Sequence, residues 1–493
     1  MNAGQPPTFS GKTPPLAGLA APPQVRTSPA AGQTPHFMGR GSELKRLEGI
    51  YNSGKFECVV VHGRMRVGIT ALLREFIQNK KAFYFSAQET SVQENLEDLS
   101  CCLFGRPRDT ELQERKETGV EGIFEGLHEL SQSQRVVLVI DNYQYLTAAK
   151  RGFSGQLCEQ IDKWLIESRL MLIIAGSSEP VMQSETLGFD SPFHGRRTAQ
   201  IKLSPFTFFE TKRFYSGFPP FDIAILYGVT GGVPKYLGLM DPGLPIEENI
   251  RRTFFDPSSF LFEEPSNILR REVRDPAYYN AILRAIAAGC SKNSEIAAAV
   301  NLETSACTAY LKNLIALGLV GKHTPTTEKA GKKTIYEIED NMFRFWYRFV
   351  PANMSLIQGG MADRIWRGVA REITVYMSKV FEDICRQWLE QRNLAGLLPA
   401  NFVEIGRWWG IDHVWKTEAF LPIIAYSDDD HAIFGDCVWS DDPAEAGALV
   451  SLVERSRLFR YSNRYLYLFS RSGFTEECAE LAGRIGENLV TFE

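Results

Sequence analysis

The sequence predicts an α/β fold in several modules, and three observations indicate it. Between residues 37 and 240, apolar strand-like runs alternate with helical segments, the order that builds a parallel, doubly wound sheet. Residues 273–350 contain three short helical segments followed by a pair of short strands. Residues 364–493 then give a helix, several strands, a helix and a strand. A chain of 493 residues has room for these modules.

Composition and charge limit the classes of function. Hydrophobic residues make up 44% of the chain, and the formal net charge of -5 argues against a broad basic surface for nucleic acid. The nine cysteines lack C-x-x-C spacing, which indicates reduced thiols in a cytoplasmic protein. No apolar run approaches the roughly 18 residues of a membrane helix, so no membrane contact is expected. The Pro-, Gly- and Ala-rich residues 1–36 are predicted to be a disordered tail.

The stretch VVVHGRMRVGIT, residues 59–70, is nearly a phosphate-binding loop. A β-branched run passes through two glycines into a helix-forming segment, as in G-x-x-x-x-G-K-[ST], but Ile69 stands where that pattern has lysine. Main-chain amides and the helix N-terminus still predict an anion cradle, whatever side chain occupies position 69. The predicted nucleotide contacts are Gly63, Arg64, Arg66, Val67, Gly68, Ile69, Thr70 and Ala71.

The stretch RVVLVIDNYQYL, residues 135–146, predicts a buried strand that ends in an acid. A parallel sheet presents groups to its ligand crevice at this strand end. We therefore predict that Thr70 and Asp141 hold magnesium, Asp141 through water. Asn142 can orient a water molecule but cannot accept its proton, so it fails as a general base. The missing lysine charge weakens binding and impairs hydrolysis more, because negative charge builds in the transition state.

Several segments, in order, resemble a prokaryotic family of archaeal-type ATPases, which are AAA-related P-loop proteins of the signal-transduction class. The segments are FMGRGSEL, GRMRVGIT, VVLVIDNYQYL, LIIAGSS, GRRT, LSPF and GGVPKYL. The resemblance implies an ATPase-like domain over 37–240 with a helical lid to about 272, and ATP or ADP with magnesium as ligand. It also makes Arg196 and Arg197 a candidate arginine finger or sensor. The alternative is that these and the loop arginines are solvated or pair with carboxylates.

Residues 273–350 resemble the winged helix that this family carries after its ATPase domain. The third helical segment offers few groups that could read bases, whereas lysines on the wing suit contact with DNA phosphates. The alternative is a winged helix that contacts protein or its own chain. The weak candidates for nucleic-acid contact are Lys322, Lys329, Lys332 and Lys333.

Residues 364–493 resemble a restriction-endonuclease-like domain. Related ATPases read like EIDIVAL and GECKW there, and comparison with those segments puts Pro422 at the first acid, Asp436 at the second and Val438 at the lysine. One carboxylate does not fix a hard cation, and valine cannot activate water, so the nuclease is predicted to be inactive. The weaker substitute acids are Glu382, Asp412 and Glu418.

The leading hypothesis is an ATP-binding regulator with impaired or absent hydrolysis and an inactive nuclease-like domain that engages a protein partner. Enzyme activity stays undecided, because Ile69, Asn142, Pro422 and Val438 argue for a pseudoenzyme while the family resemblance is to ATPases. One alternative is a nucleotide-free scaffold that binds DNA or protein through the winged helix. The other is an atypical active ATPase that recruits Arg64, Arg66 or a partner's arginine.

Overall fold

The computed structural model describes residues 37–105, 119–215, 217–326, 333–413 and 416–492. Phe37–Glu493 form one unit. The predicted tail of residues 1–36 lies outside the described residues.

The first sheet has five parallel strands in the order β2, β3, β4, β1, β5. Every residue of β1, β3 and β4 is buried, as expected when helices cover both faces of a parallel sheet. This topology confirms the predicted parallel α/β sheet of P-loop type. The strands are β1 (Glu57–Gly63), β2 (Ala82–Ser86), β3 (Val136–Asp141), β4 (Leu170–Gly176) and β5 (Ala199–Leu203).

Helices cover the two faces of this sheet because successive side chains of a strand point to opposite sides. On β1, Val59 and Val61 join one apolar cluster, whereas Cys58 and Val60 join the other. The helices before the lid are α1 (Gly41–Tyr51), α2 (Ile69–Ile77), α3 (Val92–Phe104), α4 (Val120–Gln132), α5 (Gln144–Ala149), α6 (Phe153–Gln160) and α7 (Glu179–Met182). Two π-helical turns, Ile161–Leu165 and Gln183–Leu187, extend α6 and α7.

A helical lid follows the sheet. Its start is fixed by a close backbone contact, in which Phe206 N donates to Gly232 O at 2.8 Å. Gly232 has a φ of 67°, and a Cβ there would lie 2.0 Å from Phe206 O, so only glycine fits. The lid helices are α8 (Phe208–Phe214), α9 (Pro220–Thr230), α10 (Pro234–Leu237), α11 (Ile246–Phe254) and α12 (Phe260–Glu272).

Three helices and an antiparallel strand pair come next, followed by an aromatic helix. The Asp340 side chain caps that last helix by accepting a hydrogen bond from Phe343 N at 2.7 Å. The elements are α13 (Pro276–Ala287), α14 (Asn293–Ala299), α15 (Thr304–Ala316), β6 (Val320–His323), β7 (Ile335–Ile338), α16 (Asn341–Phe349) and α17 (Met354–Gln358).

The C-terminal part has a mixed sheet in the order β12, β11, β10, β9, β8 beside one long helix. Strands β10 to β12 are parallel, and β8 and β9 are antiparallel additions. None of the described helices has the length and apolar character needed to cross a membrane. The elements are α18 (Ala362–Leu394), β8 (Glu404–Ile411), β9 (Glu418–Tyr426), β10 (His431–Val438), α19 (Ala446–Ser456), β11 (Asn463–Ser470), α20 (Glu476–Ile485) and β12 (Asn488–Thr491).

One apolar cluster continues from the lid through the middle helices into the C-terminal sheet, from Phe206 to Phe469. The Tyr376 hydroxyl on α18 joins these parts by donating to Gly228 O and to Asn341 O, the latter at 3.0 Å. The segments that read as separate modules therefore share a core.

Candidate functional site

The loop between β1 and α2 makes a tight turn at the carboxyl end of the sheet. A side chain at Gly63 would place its Cβ 2.3 Å from Leu203 O, so the strand end accepts only glycine. Arg66 has a φ of 74° and Gly68 a φ of 95°, both in the left-handed region. The two glycines of the sequence pattern are therefore required by the backbone of this loop.

The loop presents main-chain N–H groups that have no partner in the described part of the chain. None of the amides of residues 65–68 donates a hydrogen bond there, and α2 has no side-chain cap. The first helical bond of α2 runs from Leu72 N to Gly68 O at 3.0 Å, so the amides of its first turn also lack intrahelical acceptors. A cluster of such amides at a helix N-terminus favours an anion.

Thr70 and Asp141 come together beside these amides, as their sequence positions predict. The Thr70 hydroxyl donates to Asp141 Oδ2 at 2.8 Å, and Asp141 is only 4% exposed. The Tyr84 hydroxyl donates to the same oxygen, and burial together with the Asp141 charge raises the pKa of Tyr84. Sequence analysis missed Tyr84, because its position in an apolar strand gives no sign of a polar contact. A carboxylate and a hydroxyl in this arrangement suit a hard cation.

The two departures from the family pattern have different surroundings. Ile69 is 7% exposed and packs in the apolar cluster that includes Val61 and Leu203. Asn142 has a φ of 56°, and its Nδ2 donates to Ser86 Oγ at 3.1 Å. Neither side chain supplies a positive charge or a base to the loop.

Both loop arginines pair with carboxylates from later parts of the chain. Arg64 forms an ion pair with Asp340, the cap of α16, and Arg66 Nε lies 3.1 Å from Glu264 Oε1 on α12. Burial alone would lower the pKa of Arg64, but the charges and hydrogen bonds of Asp340 and Tyr236 together raise that pKa. Glu264, 1% exposed, also accepts a hydrogen bond from the Tyr236 hydroxyl at 3.0 Å. The arginines therefore connect the loop to α12 and α16.

Arg196 and Arg197 lie at the amino end of the strands, whereas the loop lies at their carboxyl end. This position corrects the expectation that the two arginines act as a sensor in this chain. They precede β5 and sit beside Cys58, because Thr198 N donates to Cys58 O at 2.9 Å. Arg196 pairs with Asp162 at 2.6 Å, and Arg197 donates to Thr186 O at 2.6 Å. Most of β1 separates them from the loop, roughly 16 Å at about 3.3 Å per residue.

Two further cations near the loop were not singled out from the sequence. Arg40 is 5% exposed, and its Nη2 donates to Val67 O at 3.0 Å and to Ser204 O at 2.6 Å, which fixes the loop backbone. Lys235 Nζ lies 5.7 Å from the centre of the Phe260 ring, and Arg66 Cζ lies 5.2 Å from the same centre. Lys235 has no carboxylate within ion-pair distance among the described residues, so its charge is available beside the loop.

The hairpin of β6 and β7 rests on the C-terminal sheet. Glu337 on β7 pairs with Arg407 on β8 and with Lys379 on α18, and these cations lower the Glu337 pKa to about 2 against the effect of burial. Thr326 N donates to Arg407 O at 2.8 Å. Of the four candidate lysines, Lys322 and Lys333 are exposed, and Lys329 and Lys332 lie outside the described residues.

The positions aligned with a nuclease site do not form a cation site. Asp436 is paired with Arg455, and its Oδ1 accepts a hydrogen bond from Cys437 N at 2.9 Å. Arg386 Nη1 donates to the carbonyl oxygen of Pro422 at 3.0 Å. Val438 ends β10. Arg455 therefore pairs with the Asp436 carboxylate, and Arg386 engages the carbonyl oxygen of Pro422.

The acids predicted as weaker substitutes, Glu382, Asp412 and Glu418, lie on α18 and at the ends of β8 and β9. Glu382 lies on α18, and burial raises its pKa to about 7. Asp412 and Glu418 lie at adjoining ends of β8 and β9, and Glu418 is exposed.

The loop and sheet define a P-loop ATPase type of protein, and comparison with known proteins identifies its family. A family described as an ATPase domain predominantly from Archaea matches residues 37–240, and one described as archaeal and bacterial proteins of unknown function matches residues 346–449. The protein MJECL04 of Methanocaldococcus jannaschii is 30% identical over 407 residues, 82% of this chain and 88% of that relative. The chain belongs to this archaeal ATPase family, which confirms the resemblance of its ATPase part.

Two other proteins to which this chain is similar are described as ATP-binding or as an ATPase. The ATP-binding protein MJ0423 of Methanocaldococcus jannaschii is 42% identical over 45 residues, 9% of this chain and 76% of that protein. The Walker-type ATPase Paby2304 of Pyrococcus abyssi shares 20% identity with a TM-score of 0.49, over 63% of this chain and 96% of that structure.

Proposed function

We propose that this protein is a nucleotide-binding regulator, in which ATP or ADP with magnesium binds the loop at residues 63–71 and hydrolysis is slow or absent. The observation that carries the proposal is the 2.8 Å hydrogen bond between Thr70 and Asp141 beside main-chain amides that lack partners. The amides would hold the phosphates, the Thr70 hydroxyl would bind magnesium, and Asp141 would hold that ion through water.

Impaired hydrolysis follows from the two substituted positions. A buried isoleucine at position 69 puts no charge on the β- and γ-phosphates, where charge matters most in the transition state. Asn142 has no basic group, and its amide is engaged with Ser86. Both features weaken hydrolysis more than binding, because main-chain amides are sufficient for binding.

Regulation would act through the loop arginines. Arg64 and Arg66 are held by Asp340 and Glu264, whose carboxylates belong to α16 and α12. A bound phosphate competes with these carboxylates for the same guanidinium groups, so occupancy of the loop changes how tightly α12 and α16 are attached. A nucleotide shifts this equilibrium only by its difference in affinity between the attached and released arrangements.

Titration of the full-length protein with fluorescently labelled ATP and magnesium tests the proposal. We expect saturable binding that falls strongly in the Thr70→Ala, Asp141→Ala double variant and that persists in Arg196→Gln, a matched control at the far sheet edge. Absence of saturable binding at millimolar nucleotide would overturn the proposal. Phosphate release above the level of the double variant would instead support the atypical ATPase.

A nucleotide-free scaffold is the second candidate. It would act through the β6–β7 hairpin, whose Lys322 and Lys333 are exposed, although the ion pairs of Glu337 with Arg407 and Lys379 attach the hairpin to its own chain. DNA binding through this hairpin would give a mobility shift that weakens with salt and is reduced in a Lys322→Ala, Lys333→Ala variant. A shift of unchanged strength in that variant would exclude these two lysines as the phosphate contacts.

A further inference from the structure

We infer that a cavity between α12, α13, α16 and α17 binds a small organic phosphate, and that this ligand influences the phosphate loop through α12. The cavity measures about 550 Å³, which lies in the range of roughly 300–1,000 Å³ typical of small-molecule sites. The site itself does not depend on the proposed function, whereas its influence on the loop rests on that function.

Two arginines give the cavity its charge. Arg270 on α12 and Arg284 on α13 both line it, and neither has a carboxylate within ion-pair distance in the described part of the chain. Two guanidinium groups from different helices suit a dianion, because each can donate two parallel hydrogen bonds to phosphate oxygens. Glu263 and both arginines are exposed at the mouth of the cavity, and Glu263 forms no ion pair with either arginine.

The walls indicate an organic ligand rather than a bare anion. The cavity is lined on one side by Phe262, Met354 and Trp346. The indole Nε1 of Trp346 already donates a hydrogen bond to Phe262 O at 2.9 Å, so the indole needs no hydrogen-bond acceptor from a ligand. A phosphomonoester with a compact apolar or aromatic group satisfies the arginines and this wall together.

The two faces of α12 connect the cavity with the phosphate loop. Glu263, Asn267 and Arg270 follow helical spacing and line the cavity. Glu264 and Arg271 each follow one of these residues in the sequence and therefore lie on a neighbouring face of the helix. Glu264 pairs with Arg66, and Arg271 Cζ lies 5.7 Å from the Tyr145 ring centre. A displacement of α12 by a ligand at Arg270 would therefore reach Arg66.

The end of α12 adds a third contact with the sheet. The Ser178 hydroxyl, just beyond β4, donates to Glu272 Oε2 at 3.2 Å. Burial raises the pKa of Glu272, and it lies at the same carboxyl edge as the loop. Three contacts along one helix face thus attach α12 across this edge of the sheet.

Calorimetric titration of the full-length protein with phenyl phosphate tests the site. We expect saturable binding at one site, weaker by about tenfold in Arg270→Gln and in Arg284→Gln. Arg274→Gln, an exposed neighbour outside the cavity, is the matched control and should bind normally. Arg270→Lys should retain part of the affinity and, with thermal melting, separates charge loss from misfolding.

Three results would overturn the site: no saturable binding at millimolar phenyl phosphate, wild-type affinity in both glutamine variants, or an affinity for benzoate equal to that for phenyl phosphate. The influence on the loop is measured by titrating labelled ATP with and without phenyl phosphate. We expect a shift in ATP affinity that disappears in Glu264→Gln. An unshifted affinity overturns the connection through α12, whereas failure of ATP to bind at all overturns the proposed function and leaves the phenyl phosphate titration to decide the site.

Discussion

The phosphate loop and the nuclease-like position have both lost a lysine, but the losses differ in consequence. At the loop, the anion would be held by main-chain amides, and those amides keep their turn with Ile69 buried beside them. At the C-terminal sheet, the nuclease chemistry that the sequence resemblance implies would depend on side chains alone. There Asp436 is neutralised by Arg455, and Pro422 offers only a carbonyl oxygen, which Arg386 uses. We therefore expect an anion site made of backbone amides to tolerate the loss of a side chain, and a cation site made of side chains not to tolerate it.

Removal of the magnesium groups should have the largest effect and should separate the two regions most clearly. We expect Thr70→Ala, Asp141→Ala to weaken magnesium-dependent ATP binding by about 100-fold, or about 2.7 kcal/mol, because both oxygen ligands are lost. The comparison variant Asp436→Ala should leave this affinity unchanged. Equal losses in the two variants would contradict the assignment of the cation to the loop.

The buried acid of the C-terminal region should appear in the pH dependence of stability. The folded-state pKa of Glu382 is raised to about 7 from an ordinary 4.5, so the folded protein holds a proton that the unfolded chain has lost. The contribution of protonated Glu382 to the stability of the fold is complete below pH 4.5. It is lost as the pH rises from 4.5 to about 7. Glu382→Gln should therefore raise the free energy of unfolding at pH 8 by about 3 kcal/mol relative to the wild type.

Denaturant titrations of both proteins, at a pH below this window and at pH 8, measure that difference. At the lower pH the two free energies should agree closely, because glutamine resembles the protonated acid. A metal bound at this position would keep Glu382 ionised, so magnesium-dependent stabilisation that the glutamine variant loses would contradict an empty nuclease-like site.

Restoration of the missing lysine should strengthen nucleotide binding at the phosphate loop but should not produce cleavage at the nuclease-like position. Ile69→Lys should raise ATP affinity by about tenfold, or about 1.4 kcal/mol, because the amide turn is already formed and gains a charge. Val438→Lys should give no cleavage of plasmid DNA, because Asp436 stays paired with Arg455 and Pro422 brings no carboxylate. Nucleotide titration and a nicking assay measure the two outcomes, and cleavage by the second variant would break the comparison.

The smallest expected effect concerns the lysine beside the loop. Lys235→Gln should weaken ATP binding by about threefold and AMP binding less, since a cation near Phe260 acts on the outer phosphates through space. Lys163→Gln, an exposed lysine on the far side of the sheet, is the matched control. Parallel titrations with ATP and AMP measure it, and equal changes for both nucleotides would exclude an action on the phosphates.

Sequence reasoning predicted the parts of the structure that depend on local pattern. Alternation of apolar strands and helices predicted the parallel sheet, and two strand ends predicted the meeting of Thr70 with Asp141. Such features follow from chain direction and strand order. The same reasoning could have shown that Arg196 and Arg197 lie far from the loop. Residues just before a parallel strand lie at its amino end, and the loop lies at the carboxyl end.

The contacts that sequence reasoning could not supply join residues far apart in the chain. Arg66 meets Glu264 across 198 positions, and Arg64 meets Asp340 across 276. Any of many carboxylates could have been the partner, because charge carries no information about distance along the fold. The pairing of Asp436 with Arg455 likewise depends on how α19 packs on β10.

The apolar cluster that extends from Phe206 to Phe469 also determines how the protein would unfold. A chain cut before α18 would leave the surfaces around Gly228 and Phe345 in contact with water, and the remaining N-terminal part would be prone to aggregate. Lid, middle helices and C-terminal sheet should therefore melt together in one cooperative calorimetric transition. In such an assembly, any ligand that tightens one part protects the others from proteolysis as well.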